Sequence, residues 1–119
     1  MKIASVDTKT KDLLFENGRR IGYDLLIAVP PHQAPGVVKS SGLVGETGWI
    51  PVDPKTLQTR HEGLYAIGDI TSIMLPVGKP LPKAGVFAHY EAEAVTQNIA
   101  AELEGRKAAH FFDGRGYCF

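Results

Sequence analysis

Residues 63–70, Gly-Leu-Tyr-Ala-Ile-Gly-Asp-Ile, constrain the fold more than any other part of this chain. Residues 64–67 are an apolar run bounded by glycines, which predicts a short buried strand. The run ends at Gly68-Asp69, where glycine lets a ligand approach the backbone and the carboxylate can accept hydrogen bonds from sugar-like hydroxyls. The alternative is a tight turn with an ordinary aspartate, because both residue types are common in turns.

Short strands, a loop and one long helix are predicted around this stretch. Residues 2–23 predict a small antiparallel meander, in which Asn17-Gly18 favours a type I′ hairpin turn. Residues 23–31 form a continuous apolar run stopped by two prolines, which predicts a strand covered on both faces. Residues 35–41 predict one helical turn, and residues 49–53 a brief extended segment. Three prolines make residues 71–82 a loop.

The long helix is predicted over residues 86–103. An apolar stripe at spacings of three and four residues predicts the face that packs on the sheet, formed by Ala88, Ala92, Val95, Ile99 and Leu103. We place His89, Glu91 and Glu93 on the outer face. Free backbone N–H groups and the positive end of the helix dipole converge at residues 83–86, where negative charge is stabilised. In the alternative interpretation, Lys83 is an ordinary solvated residue.

Composition bounds the classes of protein that this chain can belong to. Its 119 residues suffice for one domain, and a formal net charge of zero predicts no nucleic-acid partner. One cysteine excludes an internal disulfide framework and favours a reducing compartment. The four histidines show no metal-ligand spacing, so we predict no metal site. There is no Gly-x-Gly-x-x-Gly motif to cradle a dinucleotide pyrophosphate.

The motifs together resemble a family of flavoproteins. Gly-Asp-Ile-Thr, a proline loop, Pro-Lys-Ala-Gly and a helix containing Ala-Glu-Ala-Val-Thr-Gln-Asn-Ile are similar to sulfide:quinone oxidoreductases and the flavin subunits of flavocytochrome c sulfide dehydrogenases. These proteins belong to the pyridine nucleotide–disulfide oxidoreductase superfamily. Type II NADH:quinone dehydrogenases are similar at a greater distance, and Cys118 argues against them.

The resemblance implies a mixed α/β fold, a partial FAD-binding domain of the two-dinucleotide-fold type. It implies one fragment over residues 1–119, with a meander at 1–23, return strands at 24–70, and a proline loop, helix and C-terminal strand at 71–119. It also implies which residues contact FAD, namely Gly68, Asp69, Ile70, Lys83, Ala84 and Gly85.

Cys118 is the candidate catalytic residue by the same resemblance, as one of two redox cysteines beside the flavin. A thiolate can attack a sulfur species and pass electrons to the flavin as a disulfide or persulfide forms. The alternative is a lone thiol that packs as a small hydrophobe between Tyr117 and Phe119.

Two interpretations of function follow. In the first, the chain is the C-terminal part of an FAD domain that needs a missing N-terminal half and is inactive alone. Its parent enzyme takes electrons from a reduced sulfur donor to a quinone or cytochrome, in the cytoplasm or peripherally on the inner membrane. In the second, the chain is a non-catalytic remnant whose open edges lead to a homodimer.

Overall fold

The computed structural model of the chain describes residues 2–117, so Cys118 lies outside the described residues. The chain divides into two compact units, Met1–His32 and Gln33–Phe119. It contains a three-stranded antiparallel sheet, a parallel pair of short strands and one long helix. The mixed α/β class predicted from the sequence is confirmed.

The first unit contains the predicted meander. Its strands are β1 (Ile3–Asp7), β2 (Asp12–Phe15) and β3 (Arg20–Gly22), paired antiparallel in the order β1-β2-β3. Between β1 and β2, the Asp7 carboxylate accepts hydrogen bonds from the backbone N–H groups of Lys9 and Thr10. These bonds lower the pKa of Asp7 and fix the turn by local side-chain chemistry.

The type I′ turn predicted between β2 and β3 is wrong. That turn needs positive φ at both central residues, whereas Gly18 has φ of +81° and Asn17 is not among the residues with positive φ. Phe15 N–H donates to Arg19 O, and Gly18 N–H donates to Phe15 O, each at 2.9 Å. The hairpin is therefore a three-residue loop closed by one left-handed glycine.

The strand predicted at residues 23–31 does not form. Its side chains Leu25, Ile27 and Val29 are 79%, 87% and 83% exposed, and the segment has no strand pairing. A continuous apolar run is stable as a strand when neighbours cover both of its faces. No element of the unit Met1–His32 provides that cover among residues 2–32.

The second unit is built on α1 (Gly36–Ser40), β4 (Ile50–Pro51), β5 (Thr71–Ser72) and α2 (Gly85–Leu103). β4 and β5 pair in parallel. Directly before β5, Gly68–Ile70 forms one turn of 3-10 helix, which we call the Gly-Asp turn. The predicted helical turn at 35–41, extended segment at 49–53 and long helix are confirmed.

Two predicted strands of this unit are reduced to extended segments. Residues 64–67 make one isolated bridge, between Gln58 and Tyr65, with further bonds from Thr59 N–H and Ala66 N–H along the same edge. The C-terminal strand predicted after the long helix does not form within residues 106–117. Phe112 N–H donates to Lys55 O at 2.9 Å, which anchors that segment without a ladder.

The predicted apolar stripe of α2 is confirmed only in part, because Val95 is buried and Ala88 and Ala92 are half-buried, whereas Ile99 and Leu103 are exposed. The buried residues of the helix are Glu91, Ala94, Val95, Asn98 and Ala101, whereas Leu103 is 85% exposed. The helix is rotated from the predicted orientation because two buried polar side chains bind backbone groups of other segments. Glu91, predicted on the outer face, is one of them.

The core of the second unit lies between α2 and the segments that precede and follow it. Its buried members are Leu57, Ile73, Ala94, Val95 and Phe112. Burying apolar surface of this kind supplies most of the stability of a small unit. No helix within residues 2–117 is both long and apolar enough to cross a bilayer.

A hydrogen bond from Tyr65 to Glu102, 2.5 Å between the Tyr65 hydroxyl and Glu102 Oε1, ties the extended segment to α2. This bond raises the pKa of Tyr65 to about 12 from an ordinary value of 10. Because the folded chain holds this proton more tightly than the unfolded chain, the stabilisation is present below pH 10 and is lost as the pH rises toward 12.

We expect Tyr65→Phe to abolish that part of the alkaline loss of stability, as measured by urea unfolding across this range. Tyr23→Phe is the control, and an unchanged alkaline loss in Tyr65→Phe would contradict the assignment.

Candidate functional site

The Gly-Asp turn packs directly against the start of α2. Gly68 has φ of +72°, and a Cβ placed on it would lie 3.3 Å from Ala88 Cβ. The Thr71 hydroxyl donates to Gly68 O at 2.9 Å and closes the turn. A left-handed conformation and close helix packing at one position both favour glycine. The sequence motif therefore corresponds to a turn that brings Asp69 beside the helix start.

Lys83 joins the helix start to this turn. Its ammonium donates to Asp69 O at 2.5 Å and to Thr71 O at 3.1 Å. The same nitrogen lies 3.6 Å from the centroid of the Trp49 ring, a cation–π distance. Burial lowers the pKa of Lys83, while Asp69 and Glu91 oppose that shift. The alternative of a solvated lysine does not hold.

Glu91 holds the other side of the turn. Its side chain is buried, and Oε2 accepts a hydrogen bond from Gly68 N–H at 2.5 Å. Burial raises the pKa of Glu91, and the nearby Asp69 adds to the rise. The Gly68 N–H bond and Lys83 act in the opposite direction. The site thus contains one lysine and two carboxyl groups, and burial together with neighbouring charges shifts the pKa values of Lys83 and Glu91.

The two groups with ligand-binding potential are the Asp69 carboxylate and the first N–H groups of α2. Asp69 is exposed, and Lys83 binds its backbone oxygen, which leaves the carboxylate outside that bond. Ala84 precedes the helix without a side-chain cap, and the first turn has no acidic residue. The positive end of the dipole is therefore not neutralised by the helix's own first turn.

The cavity between turn and helix shows how far these residues fit a flavin cofactor. It measures about 10 Å³, room for a water molecule, and Gly68, Asp69, Lys83 and Ala84 are among its lining residues. Four of the six predicted contacts are thus brought together, while Ile70 and Gly85 only adjoin them in the chain. A cavity of this size cannot hold a flavin, so the exposed carboxylate and the uncapped helix start can form at most one wall of a site for FAD.

Three residues of the site were missed by sequence reasoning, namely Trp49, Thr71 and Glu91. Glu91 shares one helical face with Ala88, three residues before it, and Asn98, seven residues after it, but this spacing does not indicate that a carboxylate is buried there. Trp49 reaches Lys83 from a distant part of the chain, and no local pattern predicts that contact.

A separate groove of about 350 Å³ runs between α2 and the C-terminal segment. Its lining includes Tyr90, Phe111 and Tyr117. At its end the Gly116 backbone lies against the Phe87 ring so closely that a Cβ there would overlap it. Phe87 also lines the small cavity at the Gly-Asp turn. The segment that precedes Cys118 is therefore held against the first turns of α2.

Comparison with known proteins gives similarities in sequence and in fold. No protein-family model matches the chain. The mitochondrial sulfide:quinone oxidoreductase of Mus musculus is 26% identical over 99 residues, 82% of this chain and 21% of that protein. The Dictyostelium discoideum enzyme is 25% identical over 121 aligned positions, covering 98% of this chain and 25% of its own length. The Schizosaccharomyces pombe enzyme is 27% identical over 97 residues, 81% of this chain and 20% of that protein.

The chain is similar to sulfide:quinone oxidoreductases over most of its length. It spans only a fifth to a quarter of the length of these relatives. A chain in the cryo-EM structure of the Tetrahymena thermophila mitochondrial ATP synthase has a TM-score of 0.73 at 21% identity. That likeness covers 94% of this chain and 27% of that one, and it concerns the fold alone.

Proposed function

We propose that this chain forms one wall of the FAD site of a sulfide:quinone oxidoreductase-like flavoprotein. In the complete protein, electrons pass from a reduced sulfur donor through the flavin to a quinone or cytochrome. The observation that carries the proposal is the contact between the Gly-Asp turn and the start of α2. The similarity to sulfide:quinone oxidoreductases supports it.

Each residue of the wall has a role that follows from its chemistry. The exposed Asp69 carboxylate accepts hydrogen bonds from hydroxyls of the ribityl–pyrophosphate side of the cofactor. Ala84 and Gly85 present the helix start, whose partial positive charge favours an anionic group. Lys83 holds the turn through two carbonyl oxygens. Bound FAD supplies the electron chemistry, which the protein orients and tunes.

Cys118 is the proposed sulfur-handling residue. The close packing of Gly116 on Phe87 supports this role, because it holds the preceding segment at the helix that carries the candidate flavin contacts. A thiolate is the reactive form for attack on sulfur. Its partner cysteine belongs to the part of the protein outside this chain, since the chain has a single cysteine.

The test is the visible absorption spectrum of the purified chain during titration with FAD. We expect weak FAD binding, because the chain forms one wall of the site, and Asp69→Ala is expected to weaken it by about tenfold or more, because a hydrogen bond to a charged group is lost. The matched control is Asp24→Ala, an exposed aspartate of the first unit. A chain that stays colourless at every FAD concentration contradicts the proposal.

A second candidate function is a non-catalytic remnant that self-associates. The exposed apolar run of Leu25, Ile27 and Val29 favours it, because exposed apolar segments associate with other surfaces. A colourless chain that sediments as a dimer in the same preparation supports this alternative.

A further inference from the structure

Two opposite charges hold the backbone of the Gly-Asp turn from its two sides. The Lys83 ammonium binds the carbonyl oxygen of Asp69, and the Glu91 carboxylate binds the N–H of Gly68. Both side chains belong to α2 or to the residues just before it. The backbone on either side of the Gly68–Asp69 peptide is therefore fixed to one helix by charge-assisted hydrogen bonds, which are stronger than neutral ones.

We propose that Glu91 is a positioning residue of the candidate cofactor site: its buried carboxylate holds Gly68 N–H and thereby sets where the Asp69 carboxylate stands. This proposal rests on the proposed function, because the cofactor is what Asp69 is positioned for. Glu91 itself reaches the site through the turn and is not assigned a contact with the cofactor.

Burying a carboxyl group costs free energy, which argues against Glu91 serving only to fill space in the core. Glu91 is 1% exposed, and a buried ionised carboxylate is destabilising unless polar partners compensate it. Alanine or leucine would suit a buried helix position beside Ala94 and Val95 with no such cost. What Glu91 adds over them is one acceptor aimed at the N–H of a left-handed glycine.

The ionisation of Glu91 gives this role a distinct signature. The groups facing it are Gly68 N–H and Asp69 from the turn, and Lys83 from the residues before α2. Burial is the largest influence and raises the pKa of Glu91. Protonation of the carboxyl weakens its hold on Gly68 N–H, so the Gly68 amide signal should shift as Glu91 titrates. Glutamine in its place still accepts the bond but cannot titrate.

The experiment compares Glu91→Ala and Glu91→Gln with the wild-type chain. Amide hydrogen exchange and the amide chemical shift of Gly68 are measured by NMR as a function of pH, and FAD affinity is measured by titration. We expect Glu91→Ala to lose about tenfold or more in Gly68 protection and about tenfold in FAD affinity. We expect Glu91→Gln to stay within about threefold of wild type in both, with a Gly68 shift that no longer follows pH. Glu93→Ala, on the exposed face and paired with His89, is the control.

The outcomes separate this proposal from the proposed function. If the wild-type chain binds no FAD, the proposed function fails, and the Gly68 measurements alone decide whether Glu91 holds the turn. Unchanged Gly68 protection in Glu91→Ala, or FAD affinity equal to wild type in that variant, overturns the positioning role. If Glu91→Ala does not fold, the pH dependence of Gly68 in wild type against Glu91→Gln decides, and identical titrations overturn the proposal.

Discussion

Asn98→Ala is expected to lower the free energy of unfolding of the second unit by about 2 kcal/mol, because two hydrogen bonds between α2 and the backbone of His110 are lost at once. Asn98 is fully buried, with 0% of its surface exposed. Its Nδ2 donates to His110 O at 2.8 Å, and its Oδ1 accepts from His110 N–H at 3.0 Å. Alanine can form neither bond, so the N–H and the carbonyl oxygen of His110 lose their partner on α2. Urea unfolding followed by far-UV circular dichroism measures the change.

A graded series makes this prediction specific. Asn98→Asp keeps an acceptor for His110 N–H but removes the donor to His110 O, and its loss is expected to exceed that of alanine above neutral pH because a charge is buried. The control is Gln97→Ala at the neighbouring exposed position, where a loss within about 0.5 kcal/mol is expected. A loss of less than about 1 kcal/mol in Asn98→Ala would contradict the assignment of this stabilisation to the two bonds with His110.

The same residue explains why the buried face of α2 was not predicted from the sequence. Periodic hydrophobicity selects Ile99 and Leu103, and it cannot select a face whose deepest positions are an asparagine and a glutamate. Asn98 and Glu91 are buried because each satisfies backbone groups that have no partner within their own segments. Such bonds depend on where distant segments lie, and residue spacing does not encode that.

The Gly-Asp turn was predictable because its chemistry is local. The sequence shows a glycine followed by an aspartate, and it shows a helix start without an acidic residue in the first turn. The glycine adopts the left-handed conformation that such a turn needs. The family resemblance assigns both segments to the flavin, whereas their contact with each other through Lys83 is seen only in the structure. The sequence does not predict the contact between the Lys83 ammonium and the Trp49 ring.

Residues 23–31 show the opposite case, because their continuous apolar run predicts a strand that does not form. The apolar run has the composition of a buried strand, yet Leu25, Ile27 and Val29 are exposed. Hydrophobic sequence sets a preference for burial, while burial itself requires a neighbouring layer. The relatives are four to five times longer than the matched region, and within residues 2–32 no layer covers this run.

Leu57→Ala is expected to destabilise the second unit by about 3 kcal/mol, because it deletes a fully buried side chain and leaves a cavity. Leu57 is 0% exposed and belongs to the core with Ile73 and Phe112. Its backbone is tied on both sides, by Leu57 N–H to Asp53 O at 2.9 Å and by Ala66 N–H to Leu57 O at 3.1 Å. Urea unfolding measures the loss, and Leu103→Ala, at an exposed leucine of α2, is the control.

The backbone of Leu57 adds a prediction that separates packing from conformation. Leu57 has φ of +63°, a left-handed conformation that costs a residue with a Cβ about 1–2 kcal/mol. Burial of the leucine side chain outweighs that cost, and the tight turn from Asp53 imposes it. Glycine removes the side chain but also the conformational cost, so we expect Leu57→Gly to be about 1 kcal/mol more stable than Leu57→Ala. This order is the reverse of the usual one in a helix or strand, where glycine is the less stable variant. If alanine is the more stable variant here too, Leu57 does not adopt a left-handed conformation in solution.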